Sequence, residues 1–142
     1  MKTILMCFSF LFVLVACSNE NGINTTKEFE ITKVFVEENA ELGLTYDEIR
    51  RRFGTAELAD IVDNTETWIY YSSKDNNYKY DNSKKTVSHD EIKSGNLQYQ
   101  FYITFIDGKA FIYSYFYLGD DGKVWKYEIS PYSEPLNIPV SD

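Results

Sequence analysis

The chain predicts an α+β domain, with one or two N-terminal helices packed on one face of an antiparallel sheet of about four strands. Three stretches carry that expectation. Thr45 to Gly54 reads as a sharply started and sharply stopped helix. Glu66 to Ser72 is a strand rich in Thr, Trp, Ile and Tyr. Leu97 to Ile129 alternates apolar and polar residues around an Asp107-Gly108 hairpin signal, the outline of a β-meander.

Taken in order, the chain of 142 residues suggests one domain behind a processed leader. Met1-Lys2-Thr3 is a short basic head, and Ile4 to Val15 is an apolar run too short for a comfortable membrane span. Leu14-Val15-Ala16-Cys17 resembles a bacterial lipobox, with cleavage before Cys17 and lipid on its sulfur. An ordinary secretory signal or a signal anchor is the alternative, and a cysteine directly after a small residue argues against it. The expected organisation is a removed leader at 1–16, a lipidated cysteine and polar tether at 17–27, a domain at 28–130 and a proline-containing extended tail at 131–142. The ten-residue tether from Ser18 to Lys27 spans on the order of 18 Å as a coil.

Cys7 falls in the leader and lipid would occupy Cys17, so the mature domain has no internal disulfide and relies on its apolar core. Lys2 is the one charge before Cys17. Of 14 basic and 22 acidic side chains the mature chain keeps 13 and 22, a formal charge of −9. That acidity argues against nucleic acid and against a polybasic contact with anionic lipid. Membrane attachment is expected through acyl chains on Cys17, at about 0.8 kcal/mol per buried methylene.

Glu28 to Leu42 fits two patterns. Phe29, Ile31 and Phe35 share a strand face, whereas Ile31, Val34, Phe35 and Leu42 fit a helical stripe. The next helix is unambiguous. Thr45 and Glu48 form a capping box, Leu44 and Ile49 a hydrophobic staple, and Tyr46, Ile49 and Phe53 one apolar stripe. Asp47 and Glu48 complement the positive end of the helix dipole, and Arg50, Arg51 and Arg52 the negative end. Gly54 is placed to end the helix in the left-handed region. A short irregular link follows, with Leu58, Ile61 and Val62 as anchors and Asp63-Asn64 as a turn. In the strand after it, Trp68 and Tyr70 share one face and Ile69 and Tyr71 the other.

Gly43, Thr45, Ile49, Phe53, Gly54, Trp68 and Tyr70 together resemble the SmpA/OmlA lipoprotein domain, the family of BamE. Ala56 stands where that family usually has proline, and Leu44 replaces the common methionine. The match covers about 30 residues by spacing. The resemblance tips residues 28–42 towards helix. It implies a non-enzymatic lipoprotein on the periplasmic side of an outer membrane, with an accessory role in outer-membrane protein assembly or envelope integrity through protein contacts.

Ser72 to Asn96 is the least hydrophobic stretch and long for a connection; Ser88 with Glu91 is placed to start one helical turn, and Tyr78-Lys79-Tyr80 to form a short edge strand. In the meander, a two-residue Asp107-Gly108 turn sets Phe105 against Ala110, Ile103 against Ile112, Phe101 against Ser114 and Tyr99 against Phe116. The core face is then Leu97, Tyr99, Phe101, Ile103, Phe105, Ile112, Phe116, Trp125, Tyr127 and Ile129. The opposite face carries Tyr102, Phe111, Tyr113, Tyr115 and Tyr117, where a solvent face would be more charged. Two readings stand for it. Either the long loop, the tail or another subunit covers it, or it is a platform for a protein partner or ligand. The platform reading supports an alternative function, a periplasmic or surface lipoprotein that binds or inhibits a ligand or enzyme.

No catalytic constellation emerges. His89 is the only histidine and lies in the polar loop. Asp120-Asp121-Gly122 and Asp107-Gly108 are explained by turn chemistry and lack calcium-loop spacing. The sequence shows no glycine-rich phosphate loop, metal-ligand cluster or basic stripe, so no cofactor, metal or enzymatic activity is expected. Intact-mass measurement of the native protein should find Cys17 acylated, and Cys17→Ser should abolish membrane retention; an unmodified Cys17 overturns the anchor.

Overall fold

The computed structural model describes residues 30–142 apart from Asn76 and Asn82. The leader, Cys17 and the tether lie outside the described residues. The ambiguous segment forms a helix, α1 (Lys33–Asn39), and the capped helix is α2 (Tyr46–Phe53). A single antiparallel sheet follows as an uninterrupted meander of β1 (Leu58–Val62), β2 (Thr65–Ser73), β3 (Leu97–Ile106), β4 (Lys109–Leu118), β5 (Val124–Ser130) and β6 (Ser133–Pro139). A short helix, α3 (His89–Lys93), begins after Ser88 in the long β2–β3 connection.

Six strands replace the expected four. The extra pair comes from the two segments read as irregular. Asp63 and Asn64 both have positive φ, 50° and 63°, so the turn between them closes a hairpin and turns the preceding link into β1. The proline-containing tail pairs with β5 as β6, with Tyr127 opposite Asn137 and Lys126 opposite Ile138. Pro135 and Pro139 are tolerated there because β6 is an edge strand and needs hydrogen bonds on one side only. Tyr78–Tyr80, by contrast, forms no strand.

The helix starts follow the local chemistry. Thr32 Oγ1 accepts from the Phe35 amide at 3.1 Å at the head of α1. At α2 the Glu48 carboxylate accepts from the Thr45 amide at 2.9 Å and from its hydroxyl at 2.8 Å. Those bonds hold the Glu48 carboxyl below its usual range, the Thr45 amide being the largest cause. The staple residue Leu44 and the stripe residues Ile49 and Phe53 are buried.

The sheet has a core on each face. Ile31, Val36, Leu44, Ile49 and Phe53 of the helical layer pack on Trp68, Tyr70, Phe101, Ile103, Phe105, Tyr113 and Tyr115. Across the sheet, Tyr80 and Ile92 from the β2–β3 connection pack on Ile69, Leu97, Tyr102, Phe116 and Val124. The long polar stretch is therefore a cover for the second face, pinned by a buried polar knot. Gln100 is fully buried; its amide donates to the Tyr80 hydroxyl at 3.0 Å, and its carbonyl accepts from the Ser88 amide at 2.7 Å. The Tyr80 and Ser88 hydroxyls meet at 2.9 Å.

Gly54 has φ +80° and ψ −160°, a backbone conformation that side chains other than glycine's resist, while open space surrounds a Cβ built there. Gly54→Ala should therefore lower the unfolding free energy by about 1–3 kcal/mol through backbone strain alone, and Gly54→Val by more. Chemical denaturation checks this; an unchanged midpoint for both would refute it.

Candidate functional site

The expected tyrosine platform is broken up: the β2–β3 connection buries Tyr102, and one extra residue in β4 moves Tyr113 and Tyr115 to the other face. Phe105 faces Ala110 as expected, but Thr104 faces Ile112, so Phe111 is an extra residue in β4. Because side chains alternate, a one-residue bulge moves every later residue of the strand to the other face. Ile103 now faces Tyr113, Phe101 faces Tyr115 and Tyr99 faces Tyr117. Tyr113 and Tyr115 enter the helical core, and Phe116 leaves it for the opposite face. Leu97 also changes face, because a second register shift lies between Ser72 and Ser73.

The tyrosines placed in the helical core are structural clamps. The Tyr113 hydroxyl donates to the Glu41 carbonyl at 2.5 Å, and the Tyr115 hydroxyl donates to the Ile31 carbonyl at 3.0 Å. Tyr70 does the same to the Gly54 carbonyl at 3.2 Å. Each carbonyl flanks a helix, so each phenol buries its ring and ties its tip to the helical layer. Burial raises the pKa of all three. Of the other candidates, Tyr117 is half-buried and donates to Asn137 Oδ1 at 3.1 Å. Phe111 meets Tyr132 edge to face at 5.6 Å. Tyr102 is buried on the opposite face, edge-on to Phe116 at 5.8 Å.

The remaining motif residues are also structural. Gly43, with φ +86°, donates its amide to the Ala110 carbonyl at 2.8 Å. Trp68 stacks on Tyr46 at 5.3 Å and carries the Arg50 guanidinium 4.8 Å from its ring centroid. Arg52 bonds the Asn39 carbonyl at 2.9 Å and pairs with Glu41 at 3.0 Å, bracing the α1–α2 turn. Asp121 accepts from the Lys123 amide at 3.1 Å and the Trp125 indole at 3.0 Å, which is turn geometry. His89 heads α3, 6.4 Å from the Phe116 ring. Among the described residues no group of three or more His, Cys, Asp or Glu is placed to hold a metal. Among them, too, no helix is long and apolar enough to cross a membrane.

Besides a hollow of about 350 Å³ at the β4–β5 turn, lined by Tyr117, Asp121, Trp125 and Asn137, two surface features stand out among the described residues. One is an apolar groove of about 520 Å³ at the end of the sheet where the β3–β4 and β5–β6 turns lie. Leu42, Ile106, Ala110, Phe111 and Pro131 line it. Leu42 and Ile106 are exposed, and Tyr132 beside Phe111 is 77% exposed. The other is a cleft of about 360 Å³ on the face opposite α1 and α2, between the sheet and residues 85–87. Sequence reasoning missed both. The groove joins residues from three separate turns, and the cleft exists only because the polar connection folds over the sheet.

The chain matches no protein-family model, no curated protein and no solved structure. Fold and surface define it as a two-cored, six-stranded meander sheet with an apolar end.

Tyr115→Ala should cost at least about 3 kcal/mol, as buried aromatic truncations do. Tyr115→Phe should cost about 1 kcal/mol by leaving the Ile31 carbonyl without its donor. Guanidinium unfolding measures both; a stable Tyr115→Ala protein would restore an exposed position for this side chain.

Proposed function

We propose that the chain is a lipid-anchored, non-enzymatic protein of the bacterial cell envelope that works by holding a protein partner at the apolar end of its sheet. The observation that carries this reading is the cluster of exposed Leu42, Ile106, Pro131 and Tyr132 around the half-buried Phe111. Large apolar side chains gathered on a monomer's surface mark interaction sites, and tyrosine supplies rigid contact area with a polar tip. The lipobox-like Leu14–Cys17 supports the anchor, and the residues from Gly43 to Tyr70 support an accessory role in outer-membrane protein assembly or envelope integrity. The partner surface is taken from this molecule, because its six strands depart from the four-stranded fold that the resemblance implies. A tyrosine-faced binder or inhibitor is not carried forward, since Tyr113 and Tyr115 are buried.

A photoreactive benzoylphenylalanine replacing Tyr132 in the native membrane should crosslink to a discrete envelope protein, and one replacing the exposed Asp90 on α3 should not. Ile106→Ser with Tyr132→Ser should remove the partner while leaving thermal stability nearly unchanged, as both side chains are exposed. Equal crosslinking from both positions, or none from Tyr132, overturns the assignment.

A further inference from the structure

The hollow at the β4–β5 turn lies at the other end of β4 from the apolar groove, because successive turns of a meander alternate between the two ends of a sheet. Its volume of about 350 Å³ lies in the range of small-molecule sites. Tyr117 and Trp125, which line it, are cross-strand partners, and both stay partly exposed. Trp68, the other tryptophan, is buried in the helical core.

The indole is fixed before anything binds. Its Nε1 donates to Asp121 Oδ1 at 3.0 Å, and the same oxygen accepts from the Lys123 amide at 3.1 Å. The indole edge lies so close to Gly119 that a Cβ there would stand 2.5 Å from Trp125 Cδ1 and 2.6 Å from Nε1. A side chain at that position would displace the ring, so glycine permits the approach. The Gly119 amide donates to the Lys123 carbonyl at 2.8 Å, and its carbonyl accepts from the Gly122 amide at 3.0 Å, closing the turn beside the ring. A side chain held in this way loses little freedom when a ligand packs on it.

The polar groups around the rings retain bonding capacity. Tyr117 donates to Asn137 Oδ1 at 3.1 Å, which leaves the Asn137 amide nitrogen to donate. Among the described residues nothing bonds Asp121 Oδ2 or the Asp120 carboxylate. The bonds from the Trp125 indole and the Lys123 amide hold the Asp121 carboxyl below its usual range, so at neutral pH it is an acceptor.

Rigid aromatic rings beside open carboxylates and an amide suit a neutral sugar. A pyranose whose hydroxyls are equatorial has a carbon–hydrogen face that packs on aromatic carbon. Its hydroxyl edge donates to carboxylates and accepts from an amide. Asp120 and Asp121 line the hollow without a basic side chain, which disfavours an anionic ligand. A purely aromatic ligand would use the rings and leave the polar groups unmatched.

We propose that this hollow binds a neutral pyranose unit with equatorial hydroxyls, packed on Trp125 and Tyr117 and hydrogen-bonded to Asp120, Asp121 and Asn137. The site is independent of any partner held at the apolar end.

The test titrates the full native chain, in a detergent without a sugar headgroup, with cellotriose and with sorbitol. Cellotriose presents flat ring faces because its ring substituents are equatorial; sorbitol has the hydroxyls and no ring. Cellotriose should shift the Trp125 indole N–H resonance saturably and leave that of Trp68 in place, and sorbitol should move neither. Trp125→Ala should abolish binding. Trp125 also braces the turn, so the deciding variants are Asp120→Ala and Asn137→Ala, whose side chains are exposed. Each should weaken cellotriose by about fivefold, the loss of one hydrogen bond, with the melting temperature unchanged. The proposal is overturned if the cellotriose shifts do not saturate or fall elsewhere, or if sorbitol moves the Trp125 indole equally. It is equally overturned if either variant binds cellotriose as the parent does.

Discussion

The constraint on which this structure depends is the extra residue at Phe111, held in place by a short backbone ladder. Gly43 donates to the Ala110 carbonyl, and Ala110 donates to the Leu44 carbonyl, each at 2.8 Å. Thr45 also pairs with Lys109 in an isolated antiparallel bridge. The chain entering α2 thus takes the backbone groups of β4 just before the bulge. A bulge leaves one residue out of the ladder, and the next residue resumes pairing with its side chain on the opposite face. From Ile112 onward, β4 has its faces exchanged relative to an unbroken hairpin. The composition of both cores follows from that exchange.

The bulge also settles how the helical layer is attached. Tyr113 and Tyr115 reach the carbonyls of Glu41 and Ile31, while Tyr70 reaches that of Gly54. The Ile31 and Glu41 carbonyls lie just outside α1 and the Gly54 carbonyl caps α2, so none is bonded within a helix, and a buried carbonyl without a donor is costly. The three phenols resolve that cost while filling the space between helix and sheet with rings. Phe101 is a shared neighbour, with ring centroids 5.7 Å from Tyr70, 6.2 Å from Tyr113 and 6.0 Å from Tyr115. The high tyrosine content is in large part the means by which short helices are fixed to a wide sheet.

The other face uses a different device. Its cover is a polar connection with one five-residue helix, too short to supply much apolar area. It is located instead by Gln100 at the centre of β3, whose amide meets Tyr80 and Ser88. A satisfied buried polar network costs little and specifies one arrangement. The cover leaves the sheet between Val62 and Phe116 open as the cleft. Surface features of functional interest therefore arise at the margins of the two layers, where turns meet and where the cover ends.

What the sequence determined by itself was local. The start of α2 at Thr45, its stop at Gly54, the Asp107-Gly108 turn and the helical turn after Ser88 are written in adjacent residues, whose capping and turn chemistry needs no distant partner. The same locality let Trp68 and Tyr70 be assigned to one face of their strand. Tertiary structure alone decided the strand count, the face of every β4 residue past Phe111, and both surface features. β1 exists because β2 lies beside it, and β6 because β5 offers a free edge; neither segment has a pattern strong enough to stand alone. The bulge left no mark in the alternation of KAFIYSYFYL, since apolar residues occupy both faces of that strand and either register satisfies the pattern. Only the ladder to Gly43–Thr45, contributed from more than sixty positions away in the chain, chooses between them.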